Sequence, residues 1–124
     1  MSLAKIKGLG FQLIYVDKLE PALAFYTKYF GFEKEFSMGE NAVYGTTGDS
    51  GMWIGGGYKR REQSEDETRS CAMMEIDSAW KLFEAMKSDG VKLYQEEPEE
   101  MRVGIYWFQF QDPAGNILEL LGGK

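Results

Sequence analysis

This chain of 124 residues contains no histidine, and that limits the chemistry its side chains can perform. Histidine is the commonest general base and the commonest transition-metal ligand of proteins. Ser-His, Cys-His and His-metal mechanisms drawn from one chain are therefore excluded. Cys71 is the single cysteine, so no disulfide can form within the chain. Carboxylates, amides and one thiol remain as the candidate reactive groups.

The composition of the chain limits the kinds of molecule that we expect it to bind. Aromatic residues make up 15% of the chain, with 8 Phe, 7 Tyr and 3 Trp. Such a surplus fits a binding surface as well as an aromatic-rich core. The net charge of −6 argues against nucleic acid as a partner. No run approaches the roughly 20 apolar residues of a membrane span, and no apolar signal region precedes residue 10, so we expect a cytoplasmic protein.

The strands and helices that position these groups are predicted to occur twice along the chain, in the same order. A β-rich run at 10–16 precedes the cap candidate Asp17, and a helical pattern then extends to Gly31. Three short strands are predicted at 32–37, 42–47 and 51–55.

The second half repeats this order. A strand at 70–76 precedes the cap candidate Asp77, and a helical pattern extends to Gly90. Strands follow at 91–95, 103–111 and 117–121, with an acidic loop at 96–100 and a tight turn at 112–116. The sequence thus predicts a single domain over 8–122. Its two modules span 8–57 and 69–122, and a charged, solvated linker joins them at 58–68.

Two segments carry a resemblance to a known family. FYTKYFGFEKEF (residues 25–36) and QDPAGNILELL (residues 111–121) resemble the hallmark segments of the vicinal oxygen chelate superfamily. That group includes glyoxalase I, extradiol dioxygenases, fosfomycin-resistance enzymes and bleomycin-resistance proteins. The resemblance runs from about Gly8 to Leu121. It implies an α+β fold in which two tandem βαβββ modules form a curled mixed sheet around a cleft.

The resemblance also implies four positions for metal ligands, here occupied by Phe11, Trp53, Cys71 and Glu119. Of these, only Glu119 is a proper ligand for a hard metal ion. A divalent ion as a rule needs at least three protein donors. We therefore expect no metal cofactor, with a site of Glu119, Cys71 and Gln12 as the alternative.

The period of two along a strand predicts which side chains face the cleft. If the side chains at the four implied positions point into the cleft, then side chains two residues away along the same strands also face the cleft. Phe108 and Phe110 are then expected to pack on a helix. The predicted ligand-binding residues are Phe11, Leu13, Tyr15, Trp53, Cys71, Met73, Glu75, Trp107, Gln109 and Glu119. No catalytic residue is assigned, and dimer packing over the same face remains an alternative.

The function expected from this pattern is metal-free binding of a small organic molecule, planar or cationic, by a homodimer similar to drug-sequestering bleomycin-resistance proteins. In this first expectation the protein is not an enzyme. One alternative is a metal-dependent glyoxalase-, isomerase- or dioxygenase-like enzyme with atypical ligands, including a lactoylglutathione lyase. Another is a non-catalytic structural or regulatory dimer.

Overall fold

The computed structural model describes residues 3–124 as two βαβββ modules in sequence. The elements are β1 (Gln12–Tyr15), α1 (Leu19–Phe30), β2 (Glu33–Ser37), β3 (Ala42–Thr47), β4 (Ser50–Gly55), β5 (Met73–Ser78), α2 (Ala79–Ser88), β6 (Glu99–Arg102), β7 (Ile105–Gln111) and β8 (Ile117–Gly123). The strand orders are β1-β4-β3-β2 and β5-β8-β7-β6, each with one parallel pair at its start. The predicted α+β fold with tandem modules is confirmed, although the strands form two four-stranded sheets instead of one continuous sheet.

Both predicted helix caps are wrong by one residue. Lys18 is the N-cap of α1 and makes no side-chain cap hydrogen bond. Ser78 caps α2, where its hydroxyl accepts a hydrogen bond from the Lys81 amide at 3.1 Å. The Asp77 carboxylate instead accepts from the Ser78 amide at 2.8 Å, which turns it away from the helix. Gly31 ends α1 as predicted, with the left-handed φ of 62° that glycine adopts readily.

The second sheet differs from the prediction at one edge. Residues 91–95 form no strand, and Leu93 makes only an isolated bridge to Phe110. The edge strand β6 lies at Glu99–Arg102, inside and just beyond the predicted acidic loop. Gln95 explains the change, because its side chain, not its backbone, accepts from the Gln109 amide at 2.8 Å. An amide side chain there takes the place of a ladder hydrogen bond.

The apolar strand faces pack on the helices as the alternation predicts. Phe108, Leu118 and Leu120 are fully or almost fully buried on the helix side of the second sheet. The Phe108 ring meets Phe83 of α2 edge-on, with centroids 5.1 Å apart. In the first module Ile54 is fully buried in the same core. Both helices therefore cover one face of their sheets, and the opposite faces are left for the site.

The two modules meet through α1 and β7. The Tyr26 hydroxyl donates to the Asp112 carboxylate at 2.8 Å in a buried contact. Phe110 lies against Phe25 and Phe30, with ring centroids 5.9 and 5.4 Å apart. Asp112 also accepts from the Asn116 amide at 2.9 Å, and its burial raises the pKa of its carboxyl group. Side-chain contacts thus join the modules, while β1 and β5 are each an edge strand of their sheet.

The charged segment 58–68 is attached to the second module. The Gln63 amide donates to the Gly115 carbonyl at 3.0 Å, and the Gln63 side chain accepts from the Ile117 amide at 2.7 Å. Gly115 has a φ of 92° in the turn before β8, as the turn prediction requires. The segment is mostly exposed, yet it is fixed at its middle. Its role as a boundary between modules stays a prediction.

Among residues 3–124, no helix combines the length and the apolar character of a bilayer-spanning segment.

The buried Tyr26–Asp112 contact predicts a selective loss of stability. Tyr26→Phe removes one buried donor from the Asp112 carboxylate, which keeps those of Ala114 and Asn116, so we expect a loss of about 1–3 kcal/mol in the free energy of unfolding. Tyr29→Phe is the matched control on the same helix, because the Tyr29 hydroxyl donates to Asp89 at the exposed surface. We expect that control to cost less than about 0.5 kcal/mol. Urea denaturation measures both, and equal losses would contradict a special role for the buried pair.

Candidate active site

Glu119 is the centre of a cluster of polar side chains on the open face of the second sheet. Its Oε1 accepts a hydrogen bond from the Trp107 indole at 2.7 Å. Its Oε2 accepts from Arg69 Nη2 at 3.2 Å and from Gln109 Nε2 at 3.3 Å, and the Cys71 thiol lies 3.7 Å away. Four side chains thus converge on one carboxylate that is only 21% exposed. Such an arrangement fixes the position of the group.

Three strands produce this convergence. Glu119 of β8 stands between Gln109 of β7 and Met73 of β5 in the ladder. Trp107 precedes Gln109 by two residues, so its side chain emerges on the same face. Gln109 is itself buried and is oriented by Gln95, whose Nε2 donates to the Gln109 Oε1 at 2.9 Å. The carboxylate is therefore held by groups on rigid strands.

Arg69 supplies the positive charge of the cluster. Its side chain is 12% exposed, and its Nη1 donates to the Glu65 carbonyl at 2.8 Å. Its Nε is buried without a hydrogen-bond partner among the described residues. The guanidinium is thus bound at both terminal nitrogens and left unsatisfied at the third. A part-buried ion pair of this kind is more strongly coupled than a surface pair.

Cys71 lies at the edge of the cluster. Desolvation raises the pKa of its thiol, the nearby Glu119 charge raises it further, and Arg69 opposes the shift. The thiol is therefore protonated near neutral pH and acts as a hydrogen-bond donor to Glu119. In its resting state it is a weak nucleophile.

The structure separates the predicted ligand-binding residues into two groups. The second sheet carries one group, namely Cys71, Met73, Glu75, Trp107, Gln109 and Glu119. The first sheet carries the other, namely Phe11, Leu13, Tyr15 and Trp53. In this group, Trp107, Gln109 and Cys71 contact the Glu119 carboxylate, Met73 is the ladder partner of Glu119 on β5, and Glu75 is exposed. The assignment of all ten to ligand binding stays a prediction.

The group on the first sheet is an aromatic surface. Tyr15 meets Trp53 and Tyr58 edge-on, with centroids 5.1 and 4.8 Å apart. Phe11 and Leu13 of the same face are 47% and 51% exposed. The two groups approach each other at a cavity of about 270 Å³, which Leu13 and Tyr15 line together with Cys71. A small molecule there would touch both modules.

The donors present do not form a metal site in this arrangement. Among the described residues, no three His, Cys, Asp or Glu side chains come close enough to hold an ion. Gln12, the alternative third ligand, lines a separate groove with Met73 and not the cavity that Cys71 lines. Beside Glu119 the positive charge is that of Arg69. The groups that one chain could offer to a metal ion at this place are therefore the Glu119 carboxylate, which is paired with Arg69, and the Cys71 thiol.

Two members of the cluster were missed by reasoning from sequence. Arg69 was placed at the first residue of the second module and was not assigned to the site, although it precedes Cys71 by two residues and Met73 by four. The same period of two that placed those residues on the open face would have placed Arg69 there. Gln95 had no such signal, because it lies outside the regular strands. Its role depends on the path of the loop before β6.

The Cys71–Glu119 contact predicts a change in thiol reactivity. Glu119→Gln removes a nearby negative charge, so we expect a lower thiol pKa and, at pH 8, a severalfold faster reaction with a disulfide reagent. Glu75→Gln is the matched control, because Glu75 lies on β5 of the same sheet and is not among the groups that shift this pKa. A pH series of modification rates measures the effect. An unchanged profile in Glu119→Gln would show that the two groups do not interact.

Comparison with solved structures shows that this fold is shared. The fosfomycin resistance protein FosX from Listeria monocytogenes is similar with a TM-score of 0.77 at 22% identity, covering 97% of this chain and 96% of that chain. FosX from Mesorhizobium loti gives 0.69 at 18% identity, covering 97% and 95%. An integron cassette protein from the mobile metagenome of the Halifax Harbour sewage outfall gives 0.66 at 22% identity, covering 94% and 99%. No curated protein matches the chain.

These neighbours correct two expectations from the sequence. The first expectation, a metal-free binding protein of the drug-sequestering kind, is wrong, because the similar proteins are FosX fosfomycin-resistance proteins. The expectation that no divalent metal is involved is wrong as well. A glutamate-to-glutamine mutant of the Listeria FosX has been solved with Mn(II) and 1S,2S-dihydroxypropylphosphonic acid, and the Listeria FosX itself with Mn(II) and sulfate. The prediction failed because it judged metal involvement only from the side chains at the four implied metal-ligand positions of this sequence.

The family itself is shown by a match over almost the whole sequence. The model of the Glyoxalase/Bleomycin resistance protein/Dioxygenase superfamily matches residues 8–120. This range contains both βαβββ modules except the last residues of β8, and it includes the Glu119 cluster. The chain belongs to the Glyoxalase/Bleomycin resistance protein/Dioxygenase superfamily.

Proposed function

We propose that this protein is an enzyme that converts a small organic molecule in the cleft beside Glu119. The observation that carries the proposal is the Glu119 carboxylate, which is partly buried on an open sheet face and oriented by Trp107 and Gln109. Preorganised polar groups of this kind, held on rigid strands, are typical of catalytic sites. The superfamily to which the chain belongs names enzymes among its members.

The chain's own residues suggest what each would do. Glu119 would accept a hydrogen bond or a proton from a substrate hydroxyl group, since carboxylates are common general bases. Trp107 and Gln109 would keep the carboxylate in place during that transfer. The protonated Cys71 thiol lies close enough to donate a hydrogen bond to the same site. These roles are assigned to the side chains of this chain alone.

The substrate class is proposed from size and surface. The cavity of about 270 Å³ beside Cys71 suits a molecule of a few heavy atoms up to drug size. Tyr15 and Trp107 supply flat surfaces on which a planar group can stack. The small phosphonate bound by the Listeria FosX makes an oxygen-rich small molecule the first substrate to test.

We also propose that the working form is a homodimer. Phe11, Leu13, Tyr15 and Phe36 of the first module are about half exposed. Monomeric proteins rarely leave a contiguous apolar surface of this kind open to water. A second copy would cover it and add walls to the cleft.

The enzyme proposal predicts a specific loss on substitution of Glu119. Fosfomycin, a 1,2-dicarbonyl compound with a thiol, and an aromatic diol with dioxygen are the probes, each with and without Mn(II) and followed by NMR. For a probe that is converted, we expect Glu119→Gln to lower kcat/KM by roughly 100-fold or more. Glu84→Gln is the control and should retain the activity, because Glu84 is exposed on α2 and lies outside the predicted site. Binding of every probe by calorimetry without any conversion would contradict the proposal.

The dimer proposal predicts a change in molecular mass. Leu13→Glu places a charge in the centre of the apolar surface, so we expect it to weaken association by at least tenfold. Val103→Glu is the control, because Val103 is 95% exposed in the turn between β6 and β7 of the other module. Sedimentation velocity over a range of concentrations measures both variants. A monomeric wild-type protein at high concentration would contradict the proposal.

A further inference from the structure

A groove of about 800 Å³ lies between the two modules, and Glu119 is not among the residues that line it. Leu9, Gly10 and Gln12 line it from the first module, and residues 73–77 line it from the second. β1 and β5 are each an edge strand, so one backbone edge of each has no ladder partner within residues 3–124. Unpaired strand edges are places where an extended chain can bind through its backbone.

The charged side chains of this groove are all acidic. They are Asp49, Glu75 and Asp77, and the described residues that line the groove include no lysine or arginine. None of the three carboxylates forms a salt bridge within residues 3–124. An acidic groove beside unpaired strand edges is complementary to an extended, basic segment of chain.

The sequence contains such a segment directly before β1. Residues 4–9, here called the arm, carry Lys5 and Lys7 on either side of Ile6. The Ile6 and Leu9 side chains are 76% and 94% exposed. The arm lies outside the helices and strands and forms no salt bridge within residues 3–124. Large apolar side chains that are left this open to water mark an interaction site.

We propose that the arm of one copy of this chain binds in the groove of a second copy. The two lysines of the arm then face the three carboxylates of the groove, and Ile6 is withdrawn from water. Leu9, at the end of the arm, lines the groove of its own chain. Two copies can therefore exchange arms about one twofold axis, which is a closed arrangement.

This contact rests on the homodimer of the proposed function and is independent of the enzyme activity. Phe11 and Leu13 of the proposed dimer surface follow the arm on the same stretch of chain, so the two contacts are continuous. The competing explanation is an arm that folds back into the groove of its own chain. The same charges would then attract each other, but association between copies would not depend on them.

The test is a charge exchange between two full-length variants. Lys5→Glu with Lys7→Glu makes the arm acidic, and Asp49→Lys with Glu75→Lys makes the groove basic. Like charges then face each other in each variant, so we expect each to dimerise at least tenfold more weakly than the wild type. An equimolar mixture should recover dimers, because each arm then meets a groove of opposite charge on the other variant. Sedimentation velocity measures all three samples.

The control is Lys81→Glu with Lys87→Glu, which makes the same charge change at exposed positions of α2. It should dimerise within about twofold of the wild type. A wild-type dimer that the acidic arm leaves unchanged would refute the arm contact and leave the homodimer standing. Weakened dimers that the mixture does not recover would refute it as well. A monomeric wild type would refute the arm contact and the homodimer together, without bearing on the enzyme activity.

A second measurement uses the wild-type protein alone. An arm bound to a second copy is protected, so we expect trypsin cleavage after Lys7 to slow several-fold as the protein concentration passes the dissociation constant of the dimer. Cleavage after Arg61 is the internal reference, since that side chain is 68% exposed. Mass spectrometry gives the ratio of the two products. A ratio that does not depend on protein concentration would overturn the proposal.

Discussion

The carboxylate of Glu119 is the group on which the open face of this protein depends. A negative charge that is mostly withdrawn from water is stable only if other groups solvate it. Here the indole of Trp107 and the amide of Gln109 do so from β7, and the guanidinium of Arg69 does so from the segment before β5. The register of β7 and β8, the position of the segment before β5 and the burial of Gln109 together place these donors around the Glu119 carboxylate.

The division of labour between the modules follows from the same arrangement. The second sheet holds the charged and polar groups, whereas the first presents aromatic rings that are about half exposed, such as Phe11 and Tyr15. A polar centre facing an apolar wall is the usual composition of a small-molecule site. Neither module has both parts, so the site is complete only where the two faces meet.

The sequence predicted the architecture well because its signals are local. Alternation in β7 placed Phe108 in the core and Trp107 on the open face, and the repeated strand–helix order placed both modules. The caps failed by one residue, since Asp77 and Ser78 are equally good by type and only the backbone path decides between them. The site was predicted less completely. Glu119 was identified, but its pairing with Arg69 joins positions 50 residues apart that no local pattern connects.

The positions of β1 and β5 as edge strands have a mechanical consequence. Each sheet ends at its own first strand, so among residues 3–124 the modules share side-chain contacts such as Tyr26–Asp112 but no strand ladder. Changing the separation of the two faces therefore strains a few rings and hydroxyl groups and leaves every backbone ladder intact. A fold built in this way can adjust the width of its cleft to molecules of different size while each half remains rigid.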